Sequence, residues 1–169
     1  MDLNMVVKEK KEKNILLKKK FGLPSKDKAL GLIKINNKVL IKDLRAGLLV
    51  LRAWFVLEIA WVETEKLGEN IIATAKIDEN DLIWFDFIVC EDSIDNLNKY
   101  LELGIAPIIS TKNHLNSILK EFNPVKNEGN SYLFESLDKW SIFYSIVRYL
   151  ENYKFPFDNK NLVKNVINL

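Results

Sequence analysis

At 169 residues and 48% hydrophobic, the chain can fill one core and is short for two. Its 25 Lys+Arg against 23 Asp+Glu leave a formal charge of +2, without the concentrated basic surface of a nucleic-acid-binding protein. The single cysteine, Cys90, excludes a disulfide framework and a cysteine-rich metal site, and the single histidine, His114, excludes a multi-histidine site.

The first segment is a charged amphipathic helix over residues 9–20, in which Glu9 and Glu12 alternate with lysines and Ile15, Leu16 and Leu17 are interleaved. This reads as a solvated helix face rather than a polyanion site. Phe21-Gly22-Leu23-Pro24 closes it with a glycine-then-proline stop. Met1 to Lys13 is polar and lacks an apolar core, so no signal peptide is expected. The expected division is residues 1–20 as this helix and 21–169 as a single domain.

Ala29 to Ile35 is the first apolar strand and Asn36-Asn37-Lys38 a polar turn. Ile41, Leu44, Leu48 and Leu51 recur at helical spacing, giving a helix over about 40–52. Trp54 to Val62 is the second strand. The apolar run Ala46 to Val62 contains Arg52 and Glu58, which fits a helix running into a buried strand rather than a membrane span. Further strands are expected at 70–75, 82–90, 105–110 and 131–135, with helices at 93–103, 112–122, about 137–153 and about 159–168. The 137–153 helix carries Trp140, Phe143, Ile146, Val147 and Leu150 as a core-facing stripe. Strands alternating with helices give an α/β, Rossmann-like parallel sheet of five to six strands covered on both faces.

Phe85 to Ser110 is the most informative stretch. A buried strand, an acidic turn, a short amphipathic helix, a glycine stop and a second buried strand make one βαβ unit. Turns at the C-terminal ends of parallel strands are where such folds place ligands. Glu91 lies at one of these ends, and it reads either as a sugar ligand or as a strand-end capping carboxylate. Ser110 and Thr111 stand at the mouth of the next strand, where Thr111 is expected to N-cap the 112–122 helix. His114 reads as a surface histidine, with a phosphate contact as the alternative. Asp86 is expected to pair with a backbone N–H or a lysine, and Cys90 to be a buried, inert thiol. Of the tryptophans, Trp61 in Trp61-Val62-Glu63 is the one placed to face a ligand.

Phe21-Gly22-Leu23-Pro24 after a Lys-rich helix, Glu91 followed at a set distance by Gly104-Ile105-Ala106-Pro107-Ile108, and the glycine-aromatic run Gly129-Asn130-Ser131-Tyr132-Leu133-Phe134 together resemble the C-terminal half of a GT-B glycosyltransferase of the glycogen/starch synthase group. The helix with Trp140 and Arg148 is similar to that family's late amphipathic helix, and the likeness runs from about residue 14 onward. The resemblance implies a nucleotide-sugar donor, ADP- or UDP-glucose, with no further cofactor, held by Glu91, Asp92, Ser93, Ser110, Thr111, Lys34 and Lys38. It also implies a cytoplasmic protein that works with an acceptor-binding N-terminal half on a separate chain, or as a homo-oligomer, and is not active alone.

The family's glycine after the glutamate is replaced by Asp92-Ser93-Ile94-Asp95, and its Gly-Gly after the Pro-Ile strand by Asn113-His114. Lys34 and Lys38 lie out of register with the family's diphosphate-binding Arg and Lys. These departures leave open a catalytically inactive relative that serves as a binding or regulatory module. A doubly wound domain of receiver type, by contrast, needs an acidic pair after the first strand, where Ile35-Asn36-Asn37 has none.

Overall fold

The computed structural model describes residues 3–23, 28–91, 97–115 and 117–169. A seven-stranded sheet with strand order β3-β4-β2-β1-β5-β6-β7 forms its centre. The strands are β1 (Leu30–Lys34), β2 (Trp54–Glu58), β3 (Glu65–Lys66), β4 (Ile71–Thr74), β5 (Phe87–Cys90), β6 (Ala106–Ser110) and β7 (Tyr132–Phe134). Every neighbouring pair is parallel except the two-residue β3, which runs antiparallel on the β4 edge. The helices are α1 (Leu3–Lys20), α2 (Lys38–Val50), α3 (Leu97–Glu102), α4 (Lys139–Tyr153) and α5 (Pro156–Ile167). The expected α/β, Rossmann-like sheet is therefore present, with the short β3 as the strand that sequence patterning did not supply.

Alternation along the strands divides the core in two. Ile33, Phe55, Leu57, Ala73, Phe87 and Val89 face α2, α4 and α5, while Leu30, Leu32, Trp54, Val56 and Ile88 face Leu23, Leu82 and Tyr100. Gly31 is required by the first layer: a Cβ there would lie 2.2 Å from Phe87 Cζ, so the absence of a side chain admits the Phe87 ring. That ring stacks on Tyr149 at 4.5 Å between centroids.

Four expectations are corrected. The described residues of 112–122 form turns and a bridge, not a helix, because Asn and Ser side chains take the backbone groups a helix would need. Asn130 Oδ1 accepts from Lys120 N–H, Asn130 Nδ2 donates to Ile118 C=O, and Ser131 Oγ donates to Lys120 C=O. The segment then lies alongside 128–131 through bridges Glu121–Ser131 and Asn123–Glu128. Secondly, the strand expected from 82 begins only at Phe87. The chain before it forms a 3-10 turn, Glu79–Trp84, whose Leu82 joins the second core. Thirdly, β2 ends at Glu58, where the Val62 N–H to Ile59 C=O bond turns the chain. Fourthly, α4 buries Ile142, Ser145, Ile146, Tyr149 and Asn152, whereas Trp140 is 69% exposed. Of the expected stripe, Ile146 is buried and Phe143 and Leu150 pack half-buried against the core, so Trp140 alone falls on the solvent side.

The N-terminal helix also departs from a solvated face. Lys10, Asn14 and Lys18, spaced four apart on one side, are only 6%, 6% and 3% exposed, while Ile15 and Leu16 are exposed. Their nitrogens reach carbonyls at the N-terminal edge of the sheet. Lys10 donates to Phe85 C=O at 3.0 Å and Gly104 C=O at 2.7 Å, Asn14 to Trp84 C=O, and Lys18 to Lys28 C=O at 2.7 Å. A polar stripe is thus the docking face of α1. The run Ala46 to Val62 divides into the end of α2 and β2, and no helix among the described residues is long and apolar enough to cross a membrane.

Candidate functional site

The connection from β1 leads to β2 on one side, while β5 lies on the other, so strand order reverses between β1 and β5. The crevice outside the C-terminal ends of such a pair is the ordinary ligand position of an open α/β sheet. Lys34 and Cys90 are register partners at that point, which brings the loop Ile35–Lys38 beside Glu91.

Glu91 Oε1 accepts from Asn36 N–H at 2.9 Å and Asn37 N–H at 3.3 Å. Asn37 N-caps α2, its Oδ1 accepting from Val39 N–H and Leu40 N–H, both at 3.1 Å. A helix N-terminus with free amides attracts anions. Here Glu91 is itself the anion at these amides.

Lys34 is half-buried, with Nζ 3.1 Å from Glu58 Oε1 and 3.2 Å from the Tyr100 hydroxyl, and it lies over the Tyr100 ring. Burial pulls its pKa down, but the hydrogen bonds and charges of Tyr100 and Glu58 outweigh it and leave the pKa raised, so the ammonium is charged at neutral pH. Lys38 is exposed, with Nζ 4.3 Å from the centroid of Trp61, itself 50% exposed at the same edge. Ser110 is buried; its Oγ accepts from Lys112 N–H, and its carbonyl accepts from the Asn113 amide at 2.6 Å. The Thr111 N–H donates to Phe134 C=O, so Thr111 extends the β6–β7 pairing and caps no helix. His114 is exposed on the turn that follows.

Five of the seven sequence-predicted residues thus lie along one sheet edge. Lys34 and Glu91 lie at the β1–β5 crevice, Lys38 reaches toward Trp61 after β2, and Ser110 and Thr111 stand at the neighbouring end of β6. Asp92 and Ser93, with Ile94 and Asp95, lie outside the described residues, as does Pro24. Sequence reasoning missed Glu58, Tyr100 and the capping role of Asn37. Only Asn37 carried a local signal, an Asn immediately before a helical repeat. Asp86 and Cys90 behave as expected: Asp86 Oδ2 accepts from Leu30 N–H at 2.8 Å, and Cys90 is buried. No group of three or more His, Cys, Asp or Glu able to hold a metal ion occurs among the described residues.

No family model matches the chain. It is 25% identical to glycogen synthase of Fervidobacterium nodosum over 196 aligned positions, covering 99% of this chain and 39% of that enzyme. The catalytic domain of starch synthase IV from Arabidopsis thaliana, solved with ADP and acarbose, superposes with a TM-score of 0.75 at 19% identity, over 95% of this chain and 39% of that one. The chain carries the fold of a C-terminal GT-B-like domain of the glycogen and starch synthase kind. Sucrose-phosphate synthase from Thermosynechococcus elongatus shares the fold at a TM-score of 0.64 and 14% identity, over 89% of this chain and 42% of that one. The glycogen synthase-like chain thus spans about two fifths of the length of these relatives, as a C-terminal GT-B-like domain does.

Proposed function

We propose that this domain is the nucleotide-sugar-binding half of a glycogen/starch synthase-like glycosyltransferase, not active alone, which takes ADP- or UDP-glucose at the β1–β5 crevice. The carrying observation is the register of Lys34 with Cys90, which sets Glu91 against the loop after β1 where strand order reverses. Lys34 and Lys38 supply charge for a diphosphate, Glu91 accepts from sugar hydroxyls, and Ser110, Thr111, Asp92 and Ser93 complete the edge. Solved relatives support this reading, since starch synthase IV was captured with ADP. In this reading the domain acts in the cytoplasm and catalysis requires an acceptor-binding partner, either a separate chain or a second copy.

One observation favours a second reading, that of a catalytically inactive binding or regulatory module. Glu91 already fills the amides of Asn36 and Asn37, and Lys34 is neutralised by Glu58.

Calorimetric titration with ADP, UDP, ADP-glucose and UDP-glucose separates the two. The donor-binding reading expects saturable heat with one nucleotide-sugar, weakened about tenfold by Lys34→Ala or Lys38→Ala, the loss of one charge-assisted phosphate contact. No heat with any of the four at millimolar concentration overturns it in favour of the module.

A further inference from the structure

A cavity lies away from the strand C-terminal ends. It has a volume of about 770 Å³ and opens at the N-terminal edge of the sheet. Its walls come from α1, the residues before β1, β2 and β5, the end of α4 and the start of α5. The floor is apolar, with Ala29, Leu51, Val147, Leu150 and Val163 among its residues. Five cations line it, Lys10, Lys28, Arg52, Lys154 and Lys160, against two carboxylates, Asp86 and Glu151.

Both carboxylates are engaged within the protein. Asp86 accepts from Leu30 N–H and from Asn14, and Glu151 pairs with Lys154 at 2.6 Å. Lys28 and Arg52 have no carboxylate partner among the described residues. Lys28 lies over the Trp54 ring at 5.0 Å, and Arg52 is exposed at the rim.

We propose that this cavity is a second ligand site, distinct from the β1–β5 crevice, for a small amphipathic anion. The phosphate or carboxylate head lies between Lys28 and Arg52, and the apolar body on Val147 and Leu150. An apolar pocket with a few convergent polar groups is the usual form of a small-molecule site. Cations without carboxylate partners at its rim set the sign of the ligand's charge.

The test is titration of the full chain with phenyl phosphate, followed by amide NMR shifts, with benzyl alcohol as the uncharged comparison. Expected are saturable shifts at residues 28–29, 50–52 and 147–163, whether or not the β1–β5 crevice also responds. Benzyl alcohol is expected to bind at least tenfold more weakly, and Arg52→Glu with Lys28→Glu to weaken phenyl phosphate by at least tenfold. Val147→Trp, which fills the floor without altering charge, is expected to abolish binding, while Lys126→Ala, at an exposed lysine outside the cavity lining, leaves it unchanged. Lack of saturation, equal binding of benzyl alcohol, or indifference to the charge reversals overturns the assignment, whatever becomes of the donor site.

Discussion

Lys10 gives the sharpest test of how α1 is held. Its ammonium is buried against two backbone carbonyls, and burial lowers its pKa from 10.5 to about 8, only partly offset by the charge of Asp86. Lys28, Arg52, Lys154, Lys160 and Glu151 line the same cavity. The unfolded chain binds this proton more tightly than the folded one, so the stability contributed by this group rises with pH. Nothing changes well below pH 8, where both states are charged. Between pH 8 and 10.5 the folded state sheds a proton that the unfolded state keeps. The full shift corresponds to roughly 3 kcal/mol, of which about 2.5 is realised by pH 10. The assay is urea unfolding of wild type and Lys10→Met at pH 7, 8, 9 and 10, followed by far-UV circular dichroism. The difference between the two proteins is the readout, because it cancels groups common to both, including Tyr132 and Tyr149, whose raised pKa values act at higher pH. Wild type is expected to gain about 2.5 kcal/mol relative to Lys10→Met between pH 7 and 10. Curves parallel within about 0.5 kcal/mol refute the reasoning, since a lysine exposed on a solvated face carries no such pH dependence.

Two structural substitutions test other joints of the fold by the same unfolding measurement. Asn70 Nδ2 donates to Leu48 C=O at 2.9 Å and to Leu51 and Ala53 C=O, both at 3.1 Å, satisfying the buried end of α2. Asn70→Ala strands those acceptors and is expected to cost about 2–3 kcal/mol, with Asn70→Asp no better because a carboxylate cannot donate. Gly129 sits at φ +83°, and a Cβ there would fall 2.1 Å from Glu121 C=O, so Gly129→Ala is expected to cost at least about 2 kcal/mol and to loosen the 118–131 pairing. A change below about 0.5 kcal/mol in either variant contradicts the contacts assigned to it.

The strands were legible because buried parallel strands leave a local trace. Leu30–Ile33, Phe55–Leu57 and Phe87–Cys90 are continuous apolar runs, and each is fully buried. What failed depended on partners distant in sequence. Nothing within residues 8–20 shows that Lys10 and Lys18 will meet carbonyls near residues 28, 85 and 104, since a lysine is buried only where acceptors wait for it. The 112–122 segment has helical apolar spacing, yet Asn113, Asn130 and Ser131 offer its backbone alternatives that spacing cannot reveal. The candidate site was legible in its placement, because strand-end positions follow from the strands. It was not legible in its state: that Glu91 bonds the loop after β1, and Lys34 bonds Glu58 and Tyr100, follows only from the strand order that brings these loops together.

That state bears directly on the two readings of the site. A diphosphate can use the amides of Asn36 and Asn37 only if Glu91 releases them, at a cost of about 1–3 kcal/mol for two hydrogen bonds to a charged acceptor. A released carboxylate then needs new donors, and sugar hydroxyls are the natural ones. On the donor-binding reading the phosphate and sugar roles of the edge are therefore a single exchange: the phosphate would take the amides while the sugar takes the glutamate. Nucleotide without sugar completes only half of it and leaves Glu91 displaced without donors. The donor-binding reading therefore requires ADP-glucose or UDP-glucose to bind more tightly than the matching diphosphate. It also requires Glu91→Ala, which frees the amides and removes the sugar's acceptor, to narrow that gap, strengthening the diphosphate and weakening the nucleotide-sugar. If Glu91→Ala shifts both affinities equally, or neither, Glu91 is a turn cap and the edge has no donor chemistry of this kind.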